Sequence, residues 1–400
     1  MKRILLIVSI IVLLTGCGKA TTNNELQETD SSNKSSVHEN LNKVNTLNLA
    51  YASQYQVDYY EDGYVHISVQ DGTDYVIVPE NKEENNLGLD NPVYIHRPSD
   101  HIYLAASSAV DLFLELDDLE SISACSTKSQ DYAMEEVRGA IDSGKIQYVG
   151  KYSAPDYELL LSRGCDLAIE STMISHSPKV KEQLERIGIP VFIERSSYEE
   201  SPLGRLEWIK LYGVITGKEQ EATSFFNREL EKIERIEAKL AASNSDLDRK
   251  TVAFFSITST GNVTVRKPGD YICKMIEMAG GEYALNSLPI EEENALSTVN
   301  IGMEEFYSKA KDADILIYNG SIDGGVNTRQ ALLAKSSLLS EFKAVKEGNI
   351  WSTSLNMFQE SGKIADVIVE LANLIDSGEE PDGSIANDGY NTSKYLKYLE

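Results

Sequence analysis

Gln147-Tyr148-Val149-Gly150-Lys151-Tyr152-Ser153-Ala154-Pro155-Asp156-Tyr157-Glu158, followed by Gly164-Cys165-Asp166-Leu167-Ala168-Ile169, is the stretch whose reading decides the fold. Gln147-Tyr148-Val149 is a short strand, Pro155 to Arg163 a helix that Gly164 stops, and Asp166-Leu167-Ala168-Ile169 a second strand. The unit repeats at once. Val180–Ile187 reads as a helix stopped by Gly188, and Pro190-Val191-Phe192-Ile193 as the next strand. Upstream, Ile102-Tyr103-Leu104 is a strand and Ser107-Ser108 opens a helix through Leu116. This rhythm predicts a parallel sheet covered by helices.

Further along, the rhythm breaks. Thr216-x-x-Glu219 is a capping box, and no Gly or Pro occurs from Lys218 to Asp248. Ala222, Phe226, Leu230, Ile233, Ile236 and Leu240 keep a spacing of three or four, which predicts one long helix of ~25 residues, or ~38 Å. Ser243-Asn244-Ser245 fits its end. A second βα set follows: strand Val252–Ser256, helix Tyr271–Ala279 before Gly280-Gly281, helix Glu304–Ala310, strand Asp314–Tyr318 and a last helix Gly362–Asp376. Before the first set, Val57–Tyr60, Glu61-Asp62-Gly63 and Tyr64–Val69 read as a β-hairpin. Asp71-Gly72 is a second tight turn before Tyr75–Pro79. The expected fold class is α/β: two Rossmann-like lobes with parallel-rich sheets joined by one long rigid α-helix, with an N-terminal β-hairpin extension.

The start of the chain carries a different message. Met1-Lys2-Arg3 is basic, and Ile4 to Leu14 is an apolar run about half the ~20 residues a spanning helix needs, so it reads as a signal peptide. Leu14-Thr15-Gly16-Cys17 resembles the bacterial lipobox, in which the cysteine is acylated and becomes the mature N-terminus. Residues from Gly18 to about 46 are rich in Thr, Asn, Ser and Glu, a tether composition. The expected organisation is a signal peptide at 1–16, a tether at 17–46, an N-terminal lobe at 47–215, an interlobe helix at 216–245 and a C-terminal lobe at 246–400. Localisation follows: the extracytoplasmic face of the bacterial cell membrane, with a lipid anchor at Cys17.

Charge and composition exclude several functions. Lys+Arg number 37 against 63 Asp+Glu, a net −26, and loss of residues 1–16 leaves −28. Nucleic acid is disfavoured, because phosphates demand clustered cations. Four cysteines build no disulfide framework and form no Cys-x-x-Cys pair, and Cys125, Cys165 and Cys273 are expected free and buried. The five histidines show neither an i, i+4 pair nor His-Glu-x-x-His, so no metal site is expected. Gly139–Ile146 is one residue from a P-loop, but Ile146 cannot ligate Mg²⁺, and helix precedes strand there. Without Gly-x-Ser-x-Gly or Gly-x-Gly-x-x-Gly, no enzyme signature stands, no intrinsic cofactor is expected, and a surface α/β enzyme or pseudoenzyme is only the runner-up.

In its order of motifs the chain resembles the helix-hinged (class III) substrate-binding proteins of ABC importers, which serve ferric siderophores, haem and cobalamin. The match is carried by Ser107-Ser108 after a strand, Gly150–Glu158, Cys165–Ile169, Met278-Ala279-Gly280-Gly281, Glu304-Glu305 ahead of Asp312–Ile317, and Phe342–Trp351. It covers roughly residues 47–400. The family's usual Pro-Asp before each late strand is Cys165-Asp166 and Ala313-Asp314 here. The resemblance implies a monomer with a stiff interlobe helix, a ligand between the lobes, and delivery to an ABC permease dimer with its cytoplasmic ATPase. It also implies that acids on the two lobes meet permease arginines. Glu158 lies eight residues before Asp166, and Glu305 nine before Asp314 with Glu304 beside it, so these are the docking candidates; a helix first turn favours such acids in any case.

Ligand candidates sit near strand ends and helix starts. They are Ser107 and Ser108, which could equally be N-caps, Tyr152 after a strand, and Met173 after the Ala168-Ile169 strand. Arg205, Arg266 and Lys267 are cations in an acidic chain that suit an anionic ferric chelate, or else are solvated surface charges or pair within their lobe with Glu200, Glu207 or Asp270. Trp208 is either helix-packing core or a stacking platform. A ferric siderophore is the first expectation for the ligand. Haem would want an axial His, Met or Tyr, with Met173 or His176 available, and cobalamin an aromatic-lined cleft.

Overall fold

A computed structural model describes residues 41–242, 249–289, 298–322, 325–377 and 394–400. The expected signal peptide, Cys17, the tether as far as residue 40 and the helix end at 243–245 lie outside the described residues.

Alternating apolar residues build the first sheet. β1 (Lys43–Thr46), β2 (Tyr55–Tyr60), β3 (Val65–Val69) and β4 (Asp74–Val78) pair antiparallel in that order, and β5 (Val93–His96) joins β4 in parallel. The expected hairpin is therefore the middle of a five-stranded sheet. Gly63 and Gly72 take φ of 84° and 86°, the left-handed geometry that suits glycine in such turns. β1 also corrects the expected tether, which was read through residue 46. All four of its residues are exposed, so composition gave no burial signal. Its backbone nevertheless completes the sheet, and Thr46 Oγ1 (2.6 Å) and Lys43 Nζ (3.3 Å) donate to the buried Asp58 carboxylate.

The first lobe follows as β6 (Ile102–Leu104), α1 (Val110–Glu115), β7 (Ile122–Cys125), α2 (Glu135–Asp142) and β8 (Gln147–Tyr148). Next come the small hairpin β9 (Gly150–Lys151) and β10 (Ala154–Pro155), α3 (Tyr157–Ser162), β11 (Leu167–Ser171), α4 (Pro178–Arg186) and β12 (Val191–Glu194). The sheet order is β12-β11-β6-β7-β8, every pair parallel. β6, β7 and β12 are buried at every position, as in a sheet covered on both faces.

Two helices, not one, follow. α5 (Pro202–Thr216) is buried at every residue except Arg205 and Thr216, so no amphipathic period betrays it in the sequence. Gly217, at φ 79°, ends it. Thr216 belongs to α5, where its hydroxyl donates to the Tyr212 carbonyl (3.0 Å), and it does not cap the next helix. The chain then doubles back as α6 (Glu219–Ala242), packed so closely that a Cβ at Gly213 would lie 2.6 Å from that of Ala222. α6 starts against the first lobe, where Glu219 pairs with Arg97 at 3.2 Å. It ends against the second, where Leu240 occupies the space a Gly280 side chain would need and Lys239 pairs with Asp376 at 2.9 Å.

The second lobe comprises β13 (Thr251–Ile257), β14 (Val263–Arg266), α7 (Tyr271–Met278), β15 (Glu282–Tyr283), β16 (Thr298–Ile301), α8 (Met303–Ala310) and β17 (Ile315–Tyr318). It continues through α9 (Arg329–Lys335), α10 (Lys343–Glu347), β18 (Ile350–Thr353), α11 (Asn356–Gln359), α12 (Ile364–Ser377) and β19 (Leu396–Tyr398). Its sheet runs β16-β14-β13-β17-β18-β19, with β15 beside β13; the centre is parallel and the edges antiparallel.

Two buried carboxylates on the α5 side hold the N-terminal sheet. Glu207 accepts the backbone N–H groups of Ala50 (3.0 Å), Tyr51 (2.8 Å) and Ala52 (2.8 Å) and pairs with Lys210 at 2.7 Å. Glu199 accepts those of Ser53 and Gln54, each at 2.9 Å, and the Trp208 indole N–H at 2.9 Å. Five consecutive amides thereby find acceptors, which answers the demand of otherwise unpaired backbone groups.

Candidate functional site

A cavity of about 290 Å³ opens at the carboxyl ends of β6, β7, β8 and β11. Parallel strands place their following loops on that edge. Ala105, Ala106, Ser107 and Ser108 come from the loop after β6, Ser126 and Thr127 from that after β7, and Ser171 and Met173 from the end of β11. The β9–β10 hairpin contributes Lys151 and Tyr152. Gly150 makes that hairpin possible: its φ is 99°, and a Cβ would sit 2.8 Å from the Ala154 carbonyl oxygen. Five hydroxyl-bearing residues, a tyrosine, a methionine and one lysine thus face a single space.

Four of the expected ligand residues, Ser107, Ser108, Tyr152 and Met173, line this cavity. The residue capping the first turn after β6 is Ala106, so neither serine is the N-cap there. Met173 is 48% exposed. Lys151 was missed by the sequence reading; only its place beside Tyr152 in a strand-end loop could have flagged it. His176 is exposed and is not among the cavity residues.

The other ligand candidates sit elsewhere. Trp208 is wholly buried, its ring 5.1 Å from that of Tyr55 and 6.5 Å from that of Phe192, so it is core and not a platform. Arg205 donates to the Ser197 carbonyl (2.7 Å) and stacks 3.6 Å over the ring of Tyr271 from the opposite lobe. Arg266 pairs with Asp270 at 3.5 Å, and its guanidinium lies 5.6–6.0 Å from the rings of Phe254, Phe358 and Tyr271. Lys267 is half-buried, and its carbonyl accepts from Asp270 N–H and Cys273 Sγ. None of the three lines the cavity. Arg266 is held by Asp270, 1% exposed, whose carboxylate caps Ile272 at the start of α7 and requires a compensating charge. Burial pushes that carboxylate's proton affinity up, while Arg266 and Arg205 pull it back.

Just below the cavity wall, Glu170 on β11 is fully buried, and neither carboxyl oxygen has a hydrogen-bond partner among the described residues. Burial alone pushes its carboxyl up to about 8. Tyr103, on the same face of the sheet, has a hydroxyl that is equally buried and unpartnered. A neutral, proton-bearing Glu170 is the form this apolar setting favours.

Glu158 stands exposed in the first turn of α3, and Glu304 and Glu305 in the first turn of α8. Each helix precedes a parallel strand, β11 or β17, so each begins on the carboxyl side of its sheet. One group of possible metal ligands, Asp100, His101 and Asp166, lies at the opposite end of the first-lobe sheet. There Asp166 accepts the amides of Asp100 (3.1 Å) and His101 (3.2 Å), fixing the entry to β6. Cys125, Cys165 and Cys273 are free and buried.

Residues 103–354 match the family model described as periplasmic binding protein. The uncharacterized lipoprotein MJ0878 of Methanocaldococcus jannaschii is 24% identical over 100% of this chain and 97% of its own length. A second uncharacterized lipoprotein of that organism, MJ0872, is 26% identical over 93% of each chain. Among solved structures, a periplasmic heme binding protein from Pseudomonas aeruginosa is similar with a TM-score of 0.56 and 16% identity, covering 75% of this chain and 98% of that one. The petrobactin-binding protein YclQ from Bacillus subtilis gives 0.56 and 15%, covering 79% and 100%. At such identities the structural likeness concerns the fold.

Proposed function

The chain belongs to the periplasmic binding protein family, and on that footing we propose that it captures a metal chelate, a ferric siderophore first, between its two lobes and delivers it to an ABC permease. The observation that carries this reading is the cavity at the strand ends, where Ser107, Ser108, Ser126, Thr127 and Ser171 offer hydroxyls and Lys151 a cation. Hydroxyls and an ammonium suit an oxygen-rich, negatively charged ligand, and the charge-assisted bond is the stronger contribution. Lys151 takes the role first expected of Arg205 and Arg266, which are engaged with Tyr271 and Asp270.

Haem is the second reading, favoured by Tyr152 and Met173 in the same cavity, both of which belong to side-chain types that ligate haem iron. A periplasmic heme binding protein and a petrobactin-binding protein among the similar structures keep both ligands in view. The lipoprotein relatives and the Leu14-Thr15-Gly16-Cys17 motif support an extracytoplasmic place with an acyl anchor at Cys17. Glu158, Glu304 and Glu305 are the proposed permease contacts, since exposed charges of this kind set docking rate and orientation.

The test is an absorbance scan of the full chain purified from its own host, followed by titration with a ferric catecholate complex. A catecholate-to-iron charge-transfer band and saturable binding, weakened by about 1.5–3 kcal/mol in Lys151→Gln, are expected. A Soret band would select haem. Turnover of the added complex, or no binding at all, would remove the reading.

A further inference from the structure

Besides α6, the Arg205–Tyr271 stack and the Lys274–Glu200 pair (3.6 Å), the lobes meet at residues 359–363, which run from the end of α11 to the start of α12. Gln359 Oε1 accepts the Ala133 N–H (2.7 Å) while its Nε2 donates to the Asp131 carbonyl (2.7 Å). Ser361 Oγ donates to the Ser108 carbonyl (2.6 Å), the Gly362 N–H to Asp111 Oδ2 (2.8 Å), and Lys363 pairs with Glu115 at 2.8 Å. Gly362 fits because it lacks a side chain: a Cβ would sit 2.9 Å from Asp111 Oδ2 and 3.1 Å from Glu115 Cγ. The receiving turn, residues 107–115, is the one that lines the cavity through Ser107 and Ser108. One short piece of chain therefore faces the ligand space on one side and the opposite lobe on the other.

We propose that residues 359–363 form an interlobe clasp whose hold on the turn at 107–115, through Asp111, sets the lobe spacing beside the cavity. Asp111 is 1% exposed and has no ion-pair partner among the described residues. Glu115 on the same helix and Glu360 within the clasp oppose its charge; the Gly362 N–H favours it, as does Lys363, which is committed to Glu115. Lys363 in turn faces Glu229 of α6; Lys232 pairs with both Glu229 and Asp366 of α12, and the Tyr395 hydroxyl also feels Asp111. Burial first, then Glu115, pushes the Asp111 carboxyl up to about 7 from an ordinary 3.8. In the open state the group regains water and its ordinary affinity. The closed state therefore holds the proton more tightly, and closure weakens as pH rises through about 7. Between about pH 6 and about pH 8.5 the closing constant should fall about tenfold.

The clasp bears on the proposed ligand capture, since it would tune release, but its test needs no ligand, so failure of one reading is distinguishable from failure of the other. Spin labels on Lys179→Cys and Lys311→Cys, one exposed site on each lobe, report the interlobe distance in the whole chain carrying Cys17→Ser. The expected result is a single short distance near pH 6 and a growing longer one near pH 8.5. Asp111→Asn, which keeps an acceptor for Gly362, should hold the short distance at both; Gln359→Ala should show the longer distance already near pH 6. Identical wild-type distributions at the two pH values, or an Asp111→Asn variant that responds like wild type, would overturn the clasp.

Discussion

Replacing Glu207 with alanine should detach the N-terminal sheet from α5. The substitution strips the acceptor from three amides, those of Ala50, Tyr51 and Ala52, and leaves Lys210, 9% exposed, without its ion pair. A buried donor without an acceptor costs about 1–3 kcal/mol, and breaking a buried pair about 3–5 kcal/mol. These overlap, because the loop can reach water once it is released, so we expect a net loss of about 3–5 kcal/mol. Glu207→Gln retains one acceptor oxygen and should lose less, about 1–2 kcal/mol. Glu207→Leu combined with Lys210→Met removes the stranded charge and should recover part of the loss seen in Glu207→Leu alone. Urea unfolding of the full chain, followed by tryptophan fluorescence, is the assay; Trp208 bonds to the neighbouring Glu199 and reports this region directly. A loss below about 1 kcal/mol in Glu207→Ala would refute the reasoning, because it would mean that water serves these amides as well as the carboxylate does.

Cys17→Ser should shift the protein from the membrane fraction to the soluble one; sedimentation of the variant with membranes would contradict the anchor. Lysine at Glu158, Glu304 and Glu305 together should leave ligand affinity intact and abolish uptake, which a transport assay with labelled chelate reads, normal uptake refuting the docking role. Glu170, pushed up to about 8 by burial, holds its proton more tightly folded than unfolded, so its own contribution to stability should be greatest below about pH 4.5 and be lost by about pH 8. Glu170→Gln should remove that part of the slope in denaturation curves taken across the range, and an unchanged slope would count against it.

Much of the fold was legible because its signals are local. Gly164 and Gly188 stop helices, and the strands behind them are short apolar runs. What the sequence hid is what depends on distant partners. α5 has no polar face to give it a period, because both the N-terminal sheet and α6 cover it. β1 is polar at every position and is fixed by backbone pairing and by Asp58, neither visible in composition. The strand-end rule led to Ser107, Ser108, Tyr152 and Met173, which the cavity brings together. The cations show the limit of reading charge alone. Arg266 has Asp270 four residues on, a partner the sequence already offers, whereas Tyr271, which engages Arg205, lies dozens of residues away and is recognisable only once the lobes meet. Lys151 was overlooked for the opposite reason: a lysine in a polar loop looks ordinary until the loop closes on a cavity.

The clamp of Ala50 to Gln54 by two carboxylates has a mechanical consequence. Tension applied to the chain at Lys43 first meets β1, an exposed edge strand whose pairs with β2 can peel away one after another under small force. Beyond it, the next segment is gripped through five amides, three held by Glu207 of the buried α5 and two by Glu199 just before that helix, and these must yield together. Peeling therefore stops there, and a tug is absorbed by a sacrificial strand before it reaches α5. The first-lobe cavity is thereby insulated from a pull on this part of the chain and keeps its shape.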